Sequence, residues 1–130
     1  MQETADRLEI IDRLGRYSLA VDFKAFADLR EVFTEDADIQ YDLRALGGEL
    51  VTCAGLADVI AWLERFIQAP PAPLRSLTNF VIEVAGDAAR SRNYLHAGPR
   101  AMGTFTAQWK RTPAGWRIAH FRMQAFAPPA

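Results

Sequence analysis

The chain has 130 residues, a length that suits one domain (1–130) and is sufficient to bury a real core. Half of the residues are hydrophobic and 24% are charged, the balance of a globular protein. Fifteen basic residues against sixteen acidic ones leave a net charge of −1, and Arg90, Arg92, Lys110 and Arg111 form no basic stripe, so neither nucleic acid nor an anionic membrane is an expected partner.

The first six residues are acidic and lack the apolar core of a secretory leader, and no apolar run approaches the roughly 20 residues that cross a bilayer. The expected location is the cytoplasm. From Thr4 to about Val21 the apolar positions Ile10, Leu14, Tyr17 and Val21 recur at four, three and four residues, which predicts an amphipathic helix. Thr4 is placed to cap it, and Asp6 suits its positive end. Lys24–Phe33 predicts a second short helix with Phe26, Leu29 and Phe33 inward. Asp36 and Asp38 read as turn formers before a short strand at Asp38–Leu43. Leu46-Gly47-Gly48-Glu49 predicts a loop or tight turn, and no Gly-Lys-Ser/Thr follows it to make a phosphate loop.

Gly55 to about Gln68 predicts a third helix, with Val59, Leu63 and Phe66 on one stripe and Trp62 beside it. It stops at Ala69-Pro70-Pro71-Ala72-Pro73, because proline removes a donor and clashes with the preceding turn. Beyond this stiff connector the pattern turns to two-residue alternation in Ser76–Val84, Ala88–Ala97, Ala101–Arg111 and Trp116–Phe126. The intervening Gly86-Asp87, Gly98-Pro99 and Pro113-Ala114-Gly115 supply the backbone angles that reversals need. Helices first and hairpin-linked strands afterwards predict an α+β domain with an antiparallel sheet curled over the helices.

In Ser76–Val84 strict alternation puts Leu77 and Val81 on one face and Phe80, Ile82 and Val84 on the other. A sheet wetted on one side alternates apolar with polar, so the second face is expected to be covered by another copy of the chain. Cys53, the single cysteine, excludes an intramolecular disulfide and a cysteine-based zinc cluster. His96 and His120 have no ligand-spaced partners, so no metal site is expected.

Tyr17 and Asp22 stand on one helical pattern within Arg16-Tyr17-Ser18-Leu19-Ala20-Val21-Asp22. Ala27-Asp28-Leu29, Val32-Phe33-Thr34-Glu35-Asp36-Ala37, Leu77-Thr78-Asn79 with Val81-Ile82-Glu83-Val84, Gly86-Asp87 and Gly115-Trp116-Arg117-Ile118-Ala119-His120 follow. Together these segments resemble the SnoaL-like group of the nuclear transport factor 2-like superfamily, which includes scytalone dehydratase, a bile-acid dehydratase and polyketide cyclases. The resemblance spans nearly the whole chain. It implies a cystatin-like cone, in which a curved antiparallel sheet packs on three N-terminal helices around a pocket. It also implies a homodimer through the outer sheet face and a cofactor-independent lyase, isomerase or cyclase acting on a moderately apolar oxygenated ligand.

In the lyases of this group an aspartate ending the first helix holds a histidine four residues before a glycine or asparagine on the first long strand, and that histidine is the general base. Asp22 matches the aspartate and Asn79 the asparagine, but the residue four before Asn79 is Arg75. Arginine stays protonated and cannot be a base. Asp22 and Arg75, if they meet, should form a charge-assisted pair, which leaves the aspartate a weak base. Proton abstraction is then either absent or done by another residue.

His120 is the candidate replacement, since simple alternation from Trp116 and Ile118 turns His120 and Arg122 into the cone. The competing reading makes His120 a hydrogen-bonded structural histidine or an interface residue. Tyr17 and Tyr41 occupy positions where relatives place substrate-orienting groups, and a phenol can donate to a developing oxyanion, although either could serve only as core. Tyr41 also falls where steroid isomerase relatives put a catalytic acid, which argues against that chemistry. Asn93 is placed to bind a substrate carbonyl, and Phe105, with Ala107 and Trp109, to form an apolar wall. The candidate set is therefore Asp22, Arg75, Tyr17 and His120 for chemistry, and Tyr41, Asn79, Asn93, Phe105 and Arg122 for substrate. His96 is expected to be structural or exposed. The alternative reading is a non-catalytic dimeric domain that binds a ligand or a protein and has lost the base histidine.

Overall fold

The structure, a computed structural model, describes residues 1–67 and 74–128. The proline connector and the end of the third predicted helix at Gln68 lie outside the described residues.

Helix α1 (Gln2–Asp22) turns Asp6, Ile10, Leu14, Tyr17 and Val21 inward, one per turn. It begins at Met1 without a side-chain cap, so Thr4 lies inside the first turn and does not cap it. Asp6 is not a helix-dipole residue on the surface but a buried ligand of the sheet. It accepts from Arg111 Nη1 and Nη2 at 2.9 and 3.0 Å and from Trp116 Nε1 at 3.0 Å, while the Arg111 guanidinium lies 4.5 Å over the Trp116 ring. Arg111, and then Trp116, hold the Asp6 carboxyl well below the usual carboxylate range. Glu9 accepts from the Trp116 amide at 2.5 Å and crowds Gly115, whose φ of +113° and lack of Cβ allow the approach. The front half of α1 is thus fastened to the last hairpin, which fixes the direction in which Tyr17 and Asp22 point.

After a left-handed Lys24 (φ +59°), the second helix is a 3-10 turn over Phe26–Glu31 with Phe26 and Leu29 buried. Phe33 does not belong to it but opens β1 (Phe33–Asp42), and Asp36 and Asp38 therefore lie within a strand, not in a turn. Gly47, at φ +82°, reverses the chain into β2 (Leu50–Ala54), a strand too short and too exposed to register as alternation. Helix α2 (Leu56–Phe66) buries Val59 and Leu63, whereas Phe66 at its end is 54% exposed. Strands β3 (Arg75–Ala85), β4 (Ala88–Ala97), β5 (Arg100–Thr112) and β6 (Gly115–Ala125) form the meander that alternation predicts.

The six strands make one sheet in the order β2-β1-β6-β5-β4-β3. Its pairings are antiparallel except β1 with β6, which is parallel because the helical segments carry the chain back across. The core lies between the inner face of the sheet and the helices, with Ile10, Leu14, Leu29, Phe33, Ile39, Phe105, Trp116 and Ile118 almost wholly buried.

Two bulges decide which side chains face inward. In β3 the register with β4 slips between Thr78 and Val81, and the exposed Asn79 takes up the extra residue at φ +59°. Leu77 before the bulge and Phe80, Ile82 and Val84 after it therefore all pack on the core, leaving Val81 as the outward apolar residue, 53% exposed. The two apolar faces expected from strict alternation are one face. In β6, Ile118 pairs with Trp109 and His120 with the adjacent Gln108, so Ala119 is the extra residue. Trp116 and Ile118 point inward before it, and Phe121, Met123 and Ala125 after it.

Candidate functional site

Inside the sheet, α1, α2, β1 and β3–β6 enclose a cavity of about 50 Å³ lined by Tyr17, Val21, Tyr41, Leu43, Trp62, Leu63, Phe66, Ile67, Arg75, Leu95, Phe105 and Met123. Nine of these twelve are apolar; Tyr17, Tyr41 and Arg75 carry all its strongly polar groups.

Arg75 opens β3 beside the end of α1. Its Nη1 donates to Asp22 Oδ1 at 2.7 Å and its backbone N–H to Asp22 Oδ2 at 3.0 Å. Asp22 is 2% exposed and both its oxygens are spent on Arg75. Behind the cavity wall it orients the guanidinium, whose Nε and Nη2 have no hydrogen-bond partner among the described residues. The pair carries no net charge.

Tyr17 on α1 and Tyr41 on β1 meet hydroxyl to hydroxyl at 2.5 Å. Both are buried, at 3% and 5% exposure. Burial pushes the Tyr17 phenol up to about 12 and the Tyr41 phenol well above its ordinary value, so both are protonated near neutrality. Two such hydroxyls share one hydrogen between them, which leaves the other O–H free to donate elsewhere. The rings are held by aromatic packing. Tyr17 meets Phe105 edge-on at 5.3 Å and Phe33 at 5.9 Å, and Tyr41 stacks on Trp62 at 4.6 Å, which stacks on Phe66 at 4.7 Å.

Of the residues proposed from sequence, the structure brings Asp22, Arg75, Tyr17, Tyr41 and Phe105 together. Asn93 also faces inward, 2% exposed on β4 opposite Phe105, with its Nδ2 donating to the Tyr94 carbonyl at 3.1 Å and its Oδ1 without a partner among the described residues; it does not line the cavity. Asn79 is exposed at its bulge and contributes no group to the cavity; its part is the left-handed backbone that aspartate, asparagine and glycine tolerate. His120 does not face the cone. The Ala119 bulge turns it to the outer face, where its side chain is 58% exposed and Nδ1 lies 3.7 Å from Asp38 Oδ2. Arg122 follows it outward and donates to Gln40 at 2.6 Å and Asp42 at 2.8 Å. His96, as expected, stays off the site and bonds Thr78 at 2.8 Å. Trp62, Leu43, Leu95 and Met123 are cavity residues that strand and helix patterns mark only as core.

The outer face of the sheet holds a wider and more open groove of about 530 Å³. Two registered rows cross it, Asp38–His120–Gln108–Arg90–Glu83 and Gln40–Arg122–Thr106–Arg92–Val81. Among the described residues, no three His, Cys, Asp or Glu side chains are grouped to hold a metal ion, and no helix is long and apolar enough to cross a membrane.

The SnoaL-like domain family matches residues 2–122. The uncharacterised protein Rv2910c of Mycobacterium tuberculosis is 40% identical over 126 residues, covering 89% of this chain and 82% of that protein. Among solved structures, the Kfla4162 protein of Kribbella flavida is 26% identical with a TM-score of 0.78, covering 95% of this chain and 92% of the other. A candidate aromatic ring hydroxylase from Novosphingobium aromaticivorans is 28% identical with a TM-score of 0.73, covering 96% and 92%. Cystatin-like and nuclear transport factor 2-like proteins from Nostoc punctiforme and Pseudomonas putida, at 15% and 18% identity, share the fold with TM-scores of 0.76 and 0.74.

Proposed function

The chain belongs to the SnoaL-like domain family, and we propose that it is a cofactor-independent lyase, isomerase or cyclase acting on a moderately apolar oxygenated small molecule in the interior cavity. One observation carries this reading: the Tyr17–Tyr41 hydroxyl pair and the Asp22-oriented Arg75 guanidinium line the same apolar cavity, the arrangement of an oxyanion-stabilising site. In this reading Tyr17, Tyr41 and Arg75 donate to the substrate oxygen that gains negative charge, and Asp22 is a positioning residue. Activation is electrophilic in this reading, since among the described residues no histidine or free carboxylate lines the cavity. The ring-hydroxylase description of the Novosphingobium relative is consistent with an aromatic ligand.

The same observation favours a second reading. A cavity without a base suits a ligand-binding domain that performs no proton transfer, and the two readings separate on turnover. Wild-type protein, Tyr17→Phe, Asp22→Asn and His120→Ala are assayed on a panel of cyclic ketones, enones and polyketide-like esters. Catalysis by the interior site predicts a loss of about a hundredfold in Tyr17→Phe, a loss in Asp22→Asn, and wild-type rates in His120→Ala. Binding without turnover selects the second reading, and a loss confined to His120→Ala rejects the assignment of the interior site.

The proposed macromolecular partner is a second copy of the chain on the outer sheet face. Both signs of charge lie there, Asp38 and Glu83 at the margins with Arg90, Arg92 and Arg122 between them, so that an offset copy sets margin against centre. A monomer by light scattering at micromolar concentration refutes this.

A further inference from the structure

The outward side of α1 carries large apolar groups that no described residue covers. Leu8, Leu19 and Phe23 at the helix end are 64%, 60% and 66% exposed, although α1 already buries Ile10, Leu14, Tyr17 and Val21 on its opposite side. With Gly15 they stand seven, four and four residues apart, which keeps them on one face. Single exposed apolar residues are ordinary, whereas a file of them along one helix marks a contact surface. The face is also rigid, because Asp6 and Glu9 fasten the front of the helix to the last hairpin.

Its two halves differ in shape. Leu8 projects, whereas Leu19, Ala20, Phe23 and Ala25 wall a groove of about 300 Å³ beside the 3-10 turn, with Arg16 and Glu31 on its rim. That volume is about twice the roughly 150 Å³ that holds a benzene ring, so a leucine side chain fits. Gly15 lies between knob and groove. A Cβ added there meets no atom within 4 Å, so no described neighbour requires glycine, which costs a helix interior stability relative to alanine. A bare spot midway along an apolar helix face is where a second helix approaches most closely.

The spacing is self-complementary. At about 1.5 Å per residue Leu8 sits roughly 10 Å to one side of Gly15, and the centre of the groove between Leu19 and Phe23 roughly 9 Å to the other. We infer that a second copy of the chain docks on this face, its α1 antiparallel and crossing at Gly15, so that Leu8 of each copy enters the groove of the other. The charges agree with that direction. Arg16 Nε donates to Asp12 Oδ2 at 2.6 Å and Nη1 to Glu31 Oε2 at 3.1 Å, which leaves Nη2 without a partner among the described residues. Two-fold symmetry about Gly15 sets the partner's Asp12 roughly 3 Å along the axis from Arg16, opposite sign facing opposite sign. A parallel pair would leave both grooves empty. The contact lies on the helical layer, away from the outer sheet face, so it goes beyond the pairing proposed there and does not depend on it.

Sedimentation equilibrium at micromolar concentration tests this on the wild-type chain, Gly15→Gln, Leu8→Ser and, for the sheet face, Val81→Arg. Gly15→Gln fills the crossing point and Leu8→Ser removes the knob, and each should weaken association about tenfold or more. The thermal melt of Gly15→Gln in dilute solution should lie at or above that of wild type, because the new side chain suits a helix and meets open space within its own chain. Lost docking is thereby separated from lost folding. Oxidation with diamide fixes the direction: Gly15→Cys should link two copies, whereas Leu8→Cys, whose equivalents stand roughly 20 Å apart, should not. The native Cys53 is buried and stays out of the reaction. Unchanged association in Gly15→Gln and Leu8→Ser, or a loss confined to Val81→Arg, overturns the contact. A link at Leu8→Cys without one at Gly15→Cys overturns the antiparallel crossing, and a wild-type chain that stays monomeric overturns the inference outright.

Discussion

Removing the two cavity hydroxyls singly and together is the sharpest probe of the Tyr17–Tyr41 contact. Tyr17→Phe leaves the Tyr41 hydroxyl buried with no partner among the described residues, and Tyr41→Phe does the reverse. An unsatisfied buried hydroxyl costs about 1–3 kcal/mol, and because the adjoining cavity of about 50 Å³ can admit a water, each single variant should fall near the lower end. The double variant keeps both rings and their edge and stacking contacts while removing both polar groups, so it should lie within about 1 kcal/mol of wild type. Urea denaturation of the four proteins measures the coupling, with each kcal/mol also appearing as a shift of roughly 4 °C in Tm for a chain of this size. Equal m-values and a double-variant cost equal to the sum of the singles would refute the pairing. The cycle has an alkaline counterpart. Between the ordinary phenol value and about 12 the unfolded chain has lost the Tyr17 proton while the folded chain keeps it, so unfolding releases a proton. Tyr17 alone should therefore lower stability by about 1.4 kcal/mol per pH unit across that window, with Tyr41 adding to the fall, and the Tyr17→Phe/Tyr41→Phe protein should show a flatter alkaline limb.

At the other end of the scale, Arg111 with Trp116 lowers Asp6, and Arg44 with Arg122 lowers Asp42, so the stability they contribute is complete above the unfolded carboxylate value and is lost as pH falls through the folded ones. Asp6→Asn should reduce stability at pH 7 and shrink the gap between pH 7 and pH 3 in thermal melts; an unchanged gap would show that the Asp6–Arg111 pair does not govern acid lability. Gly103→Ala drives a Cβ into the Gln124 carbonyl oxygen of the paired strand, where only backbone movement can relieve it. Destabilisation at or beyond the upper end of the roughly 1–3 kcal/mol range for overpacking is expected in urea titration, and a neutral result would contradict the β5–β6 spacing. Deleting Ala119 should preserve cooperative unfolding by circular dichroism, because removing the extra residue lets plain alternation from Ile118 keep His120 outward and Phe121, Met123 and Ala125 inward; loss of the folded state would contradict the bulge.

The helix of Tyr17 and Asp22, the four-strand meander and the fold class were all legible in the sequence, because 3.6-residue and two-residue periodicities are local and carry straight into burial. The substitution of Arg75 at the histidine position was also legible, and its ion pair with Asp22 follows from charge and proximity once the first helix and the first meander strand meet. Two single-residue insertions were not. Asn79 and Ala119 each add a residue to one strand alone, and whether a strand bulges depends on the register of its partner, which no window of its own sequence contains. That is why His120 and Arg122 face the outer groove instead of the cone, and why Leu77 joins Phe80, Ile82 and Val84 on one face. Likewise, the contact between Tyr17 and Tyr41 and the stacking of Trp62 on Tyr41 join three elements that share no local pattern. Periodicity determines which residues are buried within an element, whereas only the pairing of strands and the docking of helices decide which buried groups share a cavity.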